Sequence, residues 1–160
     1  MNGWENFLLA EVGASAALAG LIFVGVSINL TKILSLPALP SRAFEALLML
    51  LTVLVVCSLL LIPGQSLNVI GIEILVSGIA IWMTITLSDV SIWRKTSTQY
   101  RGLYLRLIVI NQMALLSYII TGVTVLSNGV SGLYWLAPAV ILSMIMAIFN
   151  AWVLLVEINR

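Results

Sequence analysis

Five stretches of this chain are apolar for about 20 residues, the length at which a helix rising about 1.5 Å per residue crosses the hydrocarbon of a bilayer. They run approximately over residues 7–30, 44–62, 67–87, 103–126 and 133–156. So many continuous apolar segments leave too little polar residue to cover a water-soluble globule: 62% of the chain is hydrophobic, 8% is charged and the mean hydropathy is +1.19. The expected class is an all-α integral membrane protein, a single helical domain of residues 1–160 with five transmembrane helices. The connections carry helix breakers: "SLPALPSR" after the first run, "PGQS" after the second and "SNGVSG" after the fourth. Only "SDVSIWRKTSTQYR", residues 88–101, reads as a longer polar loop. The opening "MNGWEN" has neither a basic segment nor a small-residue cleavage site, so the first helix is expected to stay in the mature protein.

Five crossings place the termini on opposite sides, and the basic residues choose the sides. All seven, Lys32, Arg42, Arg94, Lys95, Arg101, Arg106 and Arg160, fall with the first and third connections and the C-terminus. Since Lys and Arg in short loops are retained in the cytoplasm, the N-terminus is expected outside and the C-terminus inside. Glu45, Asp89 and Glu157 share the basic side, while Glu5, Glu11 and Glu73 lie on the other. In "WRKTSTQYR" the rings of Trp93 and Tyr100 suit the headgroup layer, and Arg94, Lys95 and Arg101 suit anionic phosphates. A docking surface for a cytosolic protein is the sharper but less economical reading of the same residues. Arg106 can pair with Glu157 or Glu45 at similar depth.

Polar groups inside the membrane need protein partners, so their spacing is informative. In the first run Glu11, Ser15, Leu18, Ile22, Gly25 and Asn29 form one helical stripe, and Gly13, Ala17, Gly20, Val24 and Ser27 form another on nearly the opposite side. Little of this helix is left for lipid, which predicts a central position in the bundle or in an oligomer interface. Gly13, Ala16, Gly20 and Gly25, with Gly71 and Gly78 in the third run, are the expected close-packing positions. Glu73, Ser77, Ala80, Thr84 and Ser88 follow one face of the third helix. Glu11 and Glu73 fall at similar depth below the outer surface, so with Ser15 and Ser77 they are candidates for a proton or ion site. Asn29, Asn111, Gln112 and Asn150 extend these positions into a polar seam, joined on the fourth helix by Tyr118 and on the fifth by Ser143 and Glu157.

Catalysis is limited by what is missing. The chain has no histidine and a single aspartate, Asp89, which excludes Ser/His and Cys/His pairs, histidine-based zinc or haem sites and a two-aspartate protease. Cys57, the one cysteine, lies in an apolar run and reads as a small hydrophobe. No enzyme activity, cofactor, metal or nucleic-acid partner is expected. The segments "EVGASAALAGLIFVGVSINL", "LPALPSRAFEALLMLL" and "GLYWLAPAVILSMIMAIFNAWVLLVEINR" resemble a group of small bacterial multi-pass inner-membrane proteins, some labelled modulators of a membrane AAA protease. That resemblance implies a bacterial inner membrane and the five-helix layout. Two functions are left: a self-assembling protein with an intramembrane acidic site for a proton or cation, of channel or transporter type, or a non-enzymatic accessory subunit of a larger membrane complex such as a membrane protease. The acids with no basic partner on their side favour the first, with lipid and further copies of the chain as partners.

Overall fold

The computed structural model describes residues 3–36, 39–95 and 101–158, the side chains at 95, 103, 157 and 158 excepted. The elements are α1 (Glu5–Ile28), α2 (Leu30–Ser35), α3 (Leu39–Leu60), α4 (Leu67–Lys95), α5 (Arg101–Asn128), a 3₁₀ segment (Gly129–Trp135) and α6 (Leu136–Ile158). No strand occurs among the described residues. Four stretches are long and apolar enough to cross a membrane: Glu5–Ile28, Leu39–Leu60, Leu67–Arg94 and the 53-residue Tyr104–Val156, which holds most of α5, the 3₁₀ segment and most of α6. Large apolar side chains such as Leu21, Phe23, Ile28 and Leu87 stand exposed around the outside, as lipid-facing residues do.

The apolar runs predict the helices to within a few residues at most ends. Two boundaries differ in ways that matter. The first run does not continue to residue 30 as one helix: it breaks at Asn29, whose side-chain amide donates to the Gly25 carbonyl at 3.0 Å, and the chain resumes as the short α2. More consequentially, α4 extends to Lys95, so the first half of the expected loop is helical. The reason is local: no Gly or Pro falls between Ile79 and Arg101, and Ile81, Ile85, Asp89 and Ile92 continue one buried stripe in steps of four and three. Tyr100 lies outside the described residues, as does the side chain of Lys95.

Small residues decide the closest approach. Helices α4 and α5 form the tightest pair, and their contact is built on glycines. A Cβ on Gly122 would sit 2.8 Å from the backbone nitrogen and Cα of Leu75, one on Gly78 would sit 3.1 Å from Tyr118 Cβ, and one on Gly71 would sit 2.7 Å from Leu126 Cγ. Without side chains there, backbones come together and gain the dispersion contacts that drive association where lipid gives no hydrophobic advantage. Gly71 and Gly78 thus stand at close approaches between α4 and α5. At the end of α5 the 3₁₀ segment folds back: Thr124 Oγ1 donates to the Gly132 carbonyl at 3.3 Å, and Gly132 is pressed on the backbone of Thr124 and Val125. From there α6 packs between α5 and α3, and α1 lies mainly against α3.

The central placement of α1 within the bundle is not what the chain adopts. Gly13, Ala16, Ala17 and Gly20 face outward, a Cβ on Gly13, Gly20 or Gly25 would meet nothing within 4 Å, and only the Glu11 stripe is turned inward. Gly25 lines an apolar cleft of about 170 Å³ with Ile22, Ile33 and Leu154. The physical reason is that α3, with its many buried side chains, already fills the centre. Gly20→Ala is accordingly expected to leave the melting temperature of the purified protomer unchanged; a fall of several degrees would show that α1 packs on its outer face after all.

Candidate functional site

Two carboxylates stand in the core near the Arg42 end of the bundle. Glu45 on α3 and Asp89 on α4 are each only 2% exposed. Asp89 is delivered by the extra turns of α4, and Glu45 by the first turns of α3, one step of three beyond Arg42. Tyr104 of α5, itself buried, donates its hydroxyl to Asp89 Oδ1 at 3.1 Å. The Ser88 hydroxyl lies beside the Glu45 carboxylate, and the two acids lie close enough to repel one another. The amides of Asn111 and Gln112 approach Asp89 from α5. Gln112 is held in turn, accepting from Trp82 Nε1 at 2.7 Å and donating to Thr86 Oγ1 at 3.2 Å.

Arg42 is the cation of this cluster. Its guanidinium lies over the Tyr104 ring, 5.4 Å from the centroid, and acts electrostatically on both Glu45 and Asp89. Two carboxylates and one guanidinium leave one negative charge uncompensated. Glu45 Oε1, Asp89 Oδ2 and Asn111 Oδ1 are buried without a hydrogen-bond partner. Buried charge is expensive unless it is neutralised or paired. The residues present therefore fit one further positive charge, a proton or a small monovalent cation, held between oxygen ligands.

The remaining candidates take other roles. The expected pairing of Glu11 with Glu73 is not formed. Glu73 on α4 is occupied locally, both of its oxygens accepting from Gln65 Nε2 at 3.1 Å, while α1 carries Glu11 against α3. Glu11 lies near Cys57 and Tyr118, and its Oε2 is buried without a partner. Ser15 is buried but satisfied by the Val12 carbonyl at 3.1 Å. Ser77 lines a groove of about 230 Å³ between α3 and α4, with Thr52 and Thr84. Asn29 is used to end α1, and Asn150 is buried with Nδ2 unpartnered. Arg106 is exposed and is not the partner of Glu45, because Arg42, closer on the same helix, takes that place. The side chain of Glu157 lies outside the described residues.

Asp89, Arg42 and Tyr104 are the members that the sequence reading passed over. The available signal for Asp89 was the unbroken apolar stripe through Ile85 and Ile92, which puts an aspartate in line with buried isoleucines. Tyr104 stands seven residues before Asn111 and fourteen before Tyr118, on the same helical face. Compared with protein-family models, with curated proteins and with solved structures, the chain matches none, so the chemistry of this site carries the functional reading.

Proposed function

We propose that this is a polytopic protein of the bacterial inner membrane, crossing five times with its N-terminus outside, that binds a proton or small monovalent cation at Glu45 and Asp89 as part of ion movement. The observation that carries this reading is the pair of buried carboxylates from two helices, each with an unpartnered oxygen, sharing one guanidinium. An intramembrane ionisable group is retained against its insertion penalty where it serves a path or a switch. In the proposed orientation the site lies in the cytoplasmic half. The outward-facing small residues of α1 favour assembly with further copies, whereas an accessory subunit would use that same face for another membrane protein. Neither role is catalytic.

The test is carboxyl occupancy. Infrared difference spectra of the protein in lipid at neutral pH, with and without sodium, are expected to show a carboxyl group that is protonated or cation-bound, lost in Asp89→Asn and in Glu45→Gln. Because the acids form one site, each single change should remove most of the signal and the double change should add little. Two independent signals, each lost with only one acid, or none at all, would overturn the ion-site reading and leave the accessory role.

A further inference from the structure

The unpartnered polar atoms of the core do not stop at the acidic site. Besides Glu45 Oε1, Asp89 Oδ2 and Asn111 Oδ1, they include Asn150 Nδ2, Tyr118 Oη and Glu11 Oε2. Tyr118, Asn111 and Asn150 are at most 2% exposed. These atoms fall into two layers. On α5, Tyr118 and Asn111 are seven residues apart, about 10 Å along the helix. On α6, Ser143 and Asn150 have the same spacing. Tyr118 lies beside Ser143, so on antiparallel neighbours the same step inward brings Asn111 level with Asn150. Glu11 and Cys57 complete the Tyr118 layer, and Asp89, Glu45 and Tyr104 adjoin the Asn111 layer. Between the two lies a packed apolar layer that includes Leu50, Ile81, Ile85, Leu115 and Met146.

The chemistry of the unpartnered atoms identifies what they take. A metal ion takes only lone pairs and suits the carboxylates alone, but across the two layers an amide N–H donor and a hydroxyl stand among the acceptors. Water satisfies both kinds, and buried polar groups without protein partners are where internal water binds. A chain of water and hydroxyl carries protons, since each oxygen accepts one proton as it releases another. An apolar constriction interrupts such a chain by excluding water.

We propose that the interior of the single chain is a proton path, with Glu11 as its entry station, Glu45 and Asp89 as its inner station, and the Leu115 layer as a gate between them. A proton from the Glu11 side adds to that carboxylate and leaves it for water. It is relayed past the Tyr118 hydroxyl, which releases its own proton as it takes one, and ends on a carboxylate oxygen of Asp89 or Glu45, from which it leaves on the Arg42 side. The balance is one proton taken up on one face and one released on the other. The groups facing Glu11 are Cys57 on α3 and Tyr118 on α5; those facing the inner station are Arg42, Tyr104 and the second acid. This path rests on the ion-site reading above but adds a route and a gate that the site alone does not require.

The experiment uses the full chain in lipid vesicles with an entrapped pH dye and a potassium diffusion potential. Leu115→Ala, which opens the apolar layer, is expected to raise potential-driven proton entry about tenfold over the unchanged protein, equivalent to lowering the barrier by about 1.4 kcal/mol. Glu11→Gln or Asp89→Asn added to Leu115→Ala should each return entry to the level of empty vesicles. Met146→Ala is the second gate variant, should Leu115→Ala not fold. Entry no faster in both gate variants than in empty vesicles would overturn the path, as would entry that is indifferent to Glu11→Gln. If the infrared carboxyl signal of Asp89 persists in those same vesicles, the path alone has failed; if it is absent too, the ion-site reading has failed with it.

Discussion

Arg42→Met is expected to destabilise the protein by about 3 kcal/mol, because it leaves Glu45 and Asp89 buried together with no guanidinium near them. The methionine keeps the bulk over the Tyr104 ring, so packing changes little and charge changes most. The decisive comparison is the second substitution. Asp89→Asn on top of Arg42→Met removes one carboxylate and returns the cluster to its former net charge, and most of the lost stability should come back. Arg106→Met removes an exposed cation and should cost no more than a few tenths of a kcal/mol. Cys57, the only thiol and fully buried, gives the readout: its reaction with a thiol dye on heating reports when the core opens. Equal melting of the Arg42 and Arg106 variants, or no rescue by Asp89→Asn, would remove the charge argument on which the site stands.

Adding a single methyl group at Gly132 is expected to be at least as damaging. A Cβ there would overlap the backbone of Val125 and Thr124, the carbonyl oxygen of Thr124 being 2.7 Å away. The 3₁₀ segment cannot move off without losing the Thr124 to Gly132 hydrogen bond and the packing that turns α6 back on α5. Gly122→Ala meets the backbone of Leu75 at 2.8 Å and must push α4 away from α5. Overpacking against backbone costs about 3 kcal/mol, against nothing expected for Gly20→Ala on the open face of α1. Thermal melts of the three alanine variants in one detergent rank them. A ranking with Gly20→Ala lowest in stability would contradict the packing of the bundle.

Several elements were legible before any coordinates. The length of each apolar run fixed the long helices, and the glycines at 64 and 129, both at positive φ, mark turns where breakers stand. Of the polar stripe of the third run, Ser77, Ala80 and Thr84 line the groove against α3 and Ser88 lies beside Glu45, while Glu73 is held by Gln65. Asn111 with Tyr118, and Ser143 with Asn150, were readable as heptad-spaced interior positions, and they are buried. Asp89 was not found because a cluster of polar letters was read as a loop, when the absence of any breaker allowed α4 to carry it inside. Arg42 was counted only among the basic residues that set the orientation, since nothing in a one-dimensional charge count tells a snorkelling guanidinium from one stacked on a tyrosine.

By itself, then, the sequence determined that the chain is helical and suited to a membrane, and which positions are polar within its apolar runs. These follow from short-range causes: the hydrogen bonds of a helix are internal to it, and the cost of placing a residue in hydrocarbon depends on that residue alone. Which faces touch was decided only in three dimensions. In water an apolar face must be the buried one, but lipid is as apolar as leucine, so the glycine stripes of α1 and of α4 look alike in sequence although one is open and the other is closed on Leu126 and Tyr118. The choice rests on shape complementarity between helices far apart in the chain. That same packing brings Glu45 of α3, Asp89 of α4 and Tyr104 of α5 to one point, a conjunction that no local pattern specifies.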